Sequence, residues 1–320
     1  MMQRFQSVLA VLAIFSLGAC ADEETQEQPE ADAMSDVGTD AGTDIPMDVE
    51  PTDVESEVEA PRATEPTTTV FVAREFLFSR EEPGGIVDGF DLDGQVSSGN
   101  DGTGCNQPDY TDAAGQTGID NQFASLLPVI ESAGGAALPT LVQSAINEGD
   151  LLIVAVFSGV DDWLNDDDVT VSIGRAFGSP IVGADNTLQP WQTLTLDLDE
   201  PITRVTGGSI VDGVFTAGTE SLPLPIFVFT FRFDVTLYGA LMRAQMTETG
   251  PTTLMVGGAI TLANILDIAR TPGIQDRIPA ALEQLGPLIS DLTVNTNCDS
   301  LSVAASLTLM PIYLFNTPAE

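Results

Sequence analysis

Between residues 88 and 102 the chain carries Asp88-Gly89-Phe90-Asp91-Leu92-Asp93-Gly94 and then Asn100-Asp101-Gly102. Closely spaced carboxylates beside glycines, which let the backbone curl, are the donor set a hard cation such as calcium takes. The spacing is not that of an EF-hand loop, because Phe90 and Leu92 stand where alternating ligands would fall. A second group, Asp161-Asp162 with Asn165-Asp166-Asp167-Asp168, has a similar composition. Asp88, Asp91, Asp93, Asp101, Asp161, Asp162, Asp166 and Asp168 are therefore the candidate calcium ligands, and calcium is the one cofactor considered. The competing reading is a set of solvated turns, where Asp, Asn and Gly are favoured anyway. The same acids are the candidates for a carboxylate-based hydrolase. Sugar subsites usually add aromatic platforms, and only Trp163 and Trp191 are on offer.

The remaining inventory narrows the chemistry. The chain has 48 Asp+Glu against 10 Lys+Arg, a formal charge of −38 and no histidine; every basic residue is arginine. Without imidazole, Ser-His-Asp and Cys-His catalysis are closed off. Without lysine, so are Schiff-base chemistry and a Walker-type phosphate lysine. Zinc sites of the His/Cys kind cannot be assembled, and nucleic acid is repelled by so negative a body. Oxygen-ligated hard cations and acid–base work by carboxylates stay open. The charge also suits salty surroundings, where screening shortens repulsion.

A third candidate is apolar. Phe227, Phe229, Phe231 and Phe233, continued by Val235 and Leu237, alternate with polar or β-branched residues and read as one long strand. Such a stripe is either core or the wall of a cavity for a lipid-like ligand.

The elements that must position these residues are mostly strands. They are expected at 151–158, 169–173, 193–198, 209–217, 253–262 and 301–315, with 241–247 as an antiparallel return after Gly239. Asp212-Gly213, between Ile210-Val211 and Val214-Phe215, has the composition of a two-residue hairpin turn. Asp120 is placed to cap a helix carrying Phe123, Leu126, Leu127 and Ile130, which Gly134-Gly135 ends. Pro139 opens another, and short helices are expected at 263–270 and 279–290. This pattern predicts a strand-rich α+β fold: an antiparallel β-sandwich or partly closed barrel with short helices packed on it. Residues 67–320 are read as a single globular domain. Cys105 and Cys298, in an exported chain, are expected to form a disulfide closing about 190 residues, worth roughly 4–5 kcal/mol in the chain-entropy model.

Residues 1–66 address the domain. Arg4 and the apolar residues 8–17 make a segment too short to span a bilayer, and it ends in Leu17-Gly18-Ala19-Cys20. This run resembles the lipobox of bacterial lipoproteins, which implies removal of residues 1–19 and acylation of Cys20. Two or more acyl chains give lasting membrane attachment. Ala21, not Asp, follows the cysteine, favouring the outer over the inner membrane. Residues 22–66 are acidic, poor in aromatics and read as a disordered tether. A coil of that length averages roughly 35–40 Å end to end before charge repulsion, and reaches on the order of 150 Å stretched.

Together with Gly89-Phe90-Asp91-Leu92-Asp93-Gly94, Gly118-Ile119-Asp120-Asn121-Gln122, Gly159-Val160-Asp161-Asp162 and the Asp-Val-Gly-Thr-Asp-Ala-Gly tether, the chain resembles uncharacterised lipoproteins of myxobacteria-like bacteria. The resemblance implies an envelope location and a single domain, and carries over no catalytic residue. The expected function is a lipid-anchored cell-envelope protein with a non-enzymatic binding or structural role, stabilised by calcium if the acidic loops bind it. The alternatives are a carrier of an apolar ligand and a carboxylate hydrolase. The membrane is a partner through the anchor; an envelope protein, a glycan or an apolar molecule is the expected ligand.

Overall fold

The computed structural model describes residues 67–132, 138–228, 231–270, 283, 286–296 and 298–316. Cys20 with its signal segment, the acidic tether, Gly134-Gly135, Phe229 and half of the helix read at 279–290 lie outside the described residues.

In chain order the elements are β1 (Thr67–Phe78), β2 (Tyr110–Thr111), β3 (Thr117–Ile119), α1 (Gln122–Ser132), α2 (Leu138–Glu148), β4 (Leu152–Val160), β5 (Asp166–Phe177) and β6 (Thr193–Leu196). There follow β7 (Thr203–Val211), β8 (Val214–Val228), β9 (Phe231–Thr247), β10 (Gly250–Thr261), α3 (Leu262–Ala269), β11 (Ser300–Pro311) and β12 (Tyr313–Phe315). Eight strands run antiparallel in the order β5-β4-β1-β11-β10-β9-β8-β7, and β7 pairs back onto β5 to close a barrel. Beyond Val171–Ile173, β5 turns to β6 instead (Ala176 opposite Leu196), and β12 joins β6 in parallel outside the ring. The fold is thus strand-rich and barrel-forming, with helices on its outside.

Alternation sorts the side chains. On β1, Phe71 and Ala73 enter the barrel with Phe157, Val171, Phe215, Met242, Leu254 and Leu307. Val70 and Val72 face outward into a second apolar cluster with Ile146 of α2, Leu152, Leu194 and Leu196. Val70–Ala73 of β1 is buried on both faces and is a continuous apolar run, followed by a bulge between Ala73 and Glu75. That is why no period-two signal announces it and the sequence reading passes over it. An eight-stranded barrel leaves room for side chains and little else. Here Phe157 meets Phe71, Trp163 and Phe215 edge-on, with centroids 5.2–6.1 Å apart.

Two expectations need correction. Residues 227–237 are not one strand: β8 ends at Val228, β9 begins at Phe231, and the two residues pair with each other. The apolar face changes parity across this reversal, from Leu222, Leu224 and Ile226 on β8 to Phe233, Val235 and Leu237 directly opposite. Phe227 faces Arg232 on the other side of the ribbon, so the phenylalanines do not form one stripe. Nor does Gly239 end a strand. It sits within β9 at φ +57°, where the pairing with β10 shifts register, and acts as a bulge. The strands expected at 151–158, 169–173, 193–198 and 253–262, and the Asp212-Gly213 hairpin, are present. Thr261 caps α3, its hydroxyl accepting from Asn264 N–H at 3.1 Å. No described helix is long and apolar enough to cross a membrane.

Truncating Phe157 to alanine should cost about 3–5 kcal/mol, since its contacts are buried on every side. Urea unfolding monitored by Trp163 fluorescence measures the loss; a change under 1 kcal/mol would mean the barrel interior is not packed as described.

Candidate functional site

Two strands of the barrel leave their outer face to small residues. On β10, Leu254 and Val256 point inward, so Gly257 and Ala259 point out; on β11, Ser302 and Ala304 alternate with inward Val303. A side chain at 257 would meet the Phe90 ring at 2.5 Å, so glycine is required for residues 86–121 to lie against the wall. Phe90 is the anchor of that layer, with the Arg243 guanidinium 5.4 Å from its ring centroid.

The layer places the first acidic cluster. Phe90 pairs with Asp120, whose N–H donates to Phe90 O at 2.8 Å. Asp120 Oδ2 accepts from the N–H groups of Leu92 (2.6 Å) and Asp93 (3.2 Å). This carboxylate therefore serves the 91–94 loop and is not spent on capping α1; the first helical N–H, of Gln122, donates to Ser302 Oγ at 2.7 Å. Asp91 Oδ1 accepts from Gly94 N–H (2.7 Å) and Asp93 Oδ1 from Gln95 N–H (2.8 Å). Gly118, at φ +83°, lets β3 approach so closely that a Cβ there would sit 2.7 Å from Gln95 O. Asp91, Asp93 and Asp120 converge, one oxygen of each lying within 4.8 Å of the others. Asp120 is 2 % exposed, and its Oδ1 is buried without a hydrogen-bond partner. Burial pushes the Asp120 carboxyl up to about 8, opposed by the Leu92 N–H and reinforced by the negative charge of Asp93, Asp109 and Asp291.

The other candidate residues are dispersed. Asp88 is exposed and contributes its carbonyl, which accepts from Asn121 Nδ2 at 3.0 Å. Asp101 closes its own turn, held well below the usual carboxylate range by the Thr103 hydroxyl and then by the N–H and hydroxyl of Ser98. Asp161, Asp162 and Asp168 are exposed in or beside the β4–β5 loop. There Asp166 accepts from Asp161 N–H (2.7 Å) and Asp168 N–H (3.1 Å), so this cluster is a self-contained turn. Phe227 is half-buried under the Arg175 guanidinium, 4.0 Å from its ring centroid, and Phe233 lies half-buried on the opposite face of the ribbon, across from Ile226.

Beside the Asp91–Asp93–Asp120 cluster the same layer forms a groove of ≈ 860 Å³. Asp93, Glu220 and Asp291 supply its charge, Tyr238, Leu92 and Leu292 its apolar surface. Cys105 and Cys298 close one side, their sulphurs at disulfide distance and their Cα atoms 5.5 Å apart. Both cysteines take positive φ, 53° and 54°. Asp299 shapes the second loop: burial would raise its carboxyl, but the N–H groups of Val294, Thr296 and Asn295 and the Ser300 hydroxyl bring it down to about 2. Asp291 is 5 % exposed, accepts from Ser302 N–H at 2.8 Å and from the Ser302 hydroxyl, and is raised by burial to about 6. Sequence reasoning missed Asp120 as a cluster member and Asp291 altogether. The available signal was the small-residue pattern on β10 and β11, which marks a wall that something must cover.

No protein-family model, no curated protein and no solved structure matches this chain.

Asp291 binds its proton more tightly folded than unfolded. Its contribution is thus full below about pH 4 and is lost as pH rises through about 6, a change of roughly 3 kcal/mol. Asp291→Asn should remove that slope. Unfolding free energies in chelator from pH 4 to 7 should fall less steeply for the variant; parallel curves would refute the assignment.

Proposed function

We propose that this chain is a non-enzymatic binding protein of the bacterial cell envelope, acylated at Cys20 and carried on the acidic tether. The observation that carries the binding role is the groove on the barrel's outer wall. Its carboxylates and flanking apolar surface suit a ligand presenting positive charge on an apolar frame, such as a basic peptide segment of an envelope protein. The anchor rests on Leu17-Gly18-Ala19-Cys20 and on the firm attachment that multiple acyl chains give. A carrier role is less well supported, because aromatic side chains occupy the barrel interior around Phe157. A hydrolase is less well supported too, because Asp120, an acid whose pKa is raised by burial, is enclosed and its Oδ2 is held by backbone N–H groups.

Two experiments test this reading. Cys20→Ser should move the protein from the detergent-extracted membrane fraction to the soluble envelope fraction; retention in the membrane would contradict the anchor. An arginine-containing amphipathic peptide titrated against the protein should bind in a salt-dependent way, and Glu220→Gln should weaken it about threefold to tenfold. Equal weakening by Asp161→Asn, remote from the groove, would reduce the binding to unspecific attraction by the −38 charge.

A further inference from the structure

We propose that Asp91, Asp93 and Asp120 form a specific site for one calcium-type cation, which ties the 91–94 loop to the barrel wall. The inference does not require the lipid anchor or a ligand in the groove. Its first support is convergence: three carboxylates from two separated segments meet within 4.8 Å. A triangle of that edge has its centre roughly 2.8 Å from each corner, close to the 2.3–2.6 Å of calcium–oxygen bonds. The independent support is Asp120 itself. A carboxylate removed from water needs every oxygen satisfied, yet only its Oδ2 is used, by Leu92 and Asp93 N–H, and Oδ1 is buried with no partner. The turns that shape the loop likewise use Oδ1 of Asp91 and Oδ1 of Asp93. That leaves one oxygen on each of the three residues outside these turns.

The chemistry selects the ion class. All the donors are hard oxygens, which excludes the soft metals that want sulphur or imidazole. Three carboxylates on an irregular loop suit calcium, which tolerates six to eight ligands in flexible geometry, better than magnesium with its strict octahedron. Asp93 also lines the groove, so a bound dication changes the charge there.

The test is calorimetric titration of calcium chloride into the full chain, purified in detergent and stripped with chelator, at constant ionic strength. One saturable calcium per chain is expected, with a rise in melting temperature of about 5–10 °C at a hundredfold excess over Kd. Asp120→Asn should lower the affinity at least tenfold. Asp93→Asn, at a half-exposed position, should do the same and guards against a folding failure of the first variant. Asp161→Asn should leave it unchanged. The proposal is overturned if binding is only shallow and many-sited, as the acidic tether alone would give. It is equally overturned if the folded Asp120→Asn and Asp93→Asn proteins bind calcium as the parent does.

Discussion

The pairing of β5 with two successive partners governs the molecule. Its first half closes the ring onto β7, and its second half leaves the ring for β6. Closure removes the open edges of the ring itself and commits the inward side chains to a core with no reserve of space, filled by Phe71, Phe157 and Phe215. A ligand site in such a body has to be built outside the ring. The outer wall at β10 and β11 supplies the place, because Gly257, Ala259, Ser302 and Ala304 leave it shallow enough to take a second layer of chain.

That layer is held by polar ties of unusual reach. Asp120 bonds to residues 27 and 28 positions earlier, Ser302 receives the N–H of Gln122 across 180 positions, and Cys105 meets Cys298 across 193. Each tie joins a loop to the wall or to another loop, so the groove and the carboxylate cluster share one support. Enclosing Asp120 and Asp291 carries an electrostatic penalty in a body already strongly negative. Ser302 offsets it for Asp291 with two hydrogen bonds. For Asp120 the offset is half complete, and its unpartnered Oδ1 gives the cluster its chemical interest.

Much of the fold was legible because its signals are local. The Asp212-Gly213 turn and the strands at 151–158, 169–173 and 193–198 each depend on a few adjacent residues. What escaped depends on partners far away. β1 hides because both its faces are buried. The Phe227–Leu237 run misleads because the apolar parity switches across a chain reversal and still reads as continuous alternation. Gly239 is a bulge and not a turn only because β10 continues to pair on both sides of it. In the site, Asp91 and Asp93 stood out as neighbours in a run, whereas Asp120 joined them through the Phe90 pairing, which no spacing rule encodes. Asp101 and the Asp161–Asp168 group look equivalent in composition, yet the carboxylate oxygens of Asp101 and Asp166 are taken up by their own turns.

The central claim is that the closed barrel moves the chemistry to its outer wall, where Asp120 is completed by a cation. The most direct measurement is anomalous scattering from crystals grown with calcium. The account predicts one peak bonded to oxygens of Asp91, Asp93 and Asp120 at about 2.3–2.6 Å. Density empty at that point, with the Asp120 carboxyl hydrogen-bonded instead to Asp91 or Asp93, would contradict it.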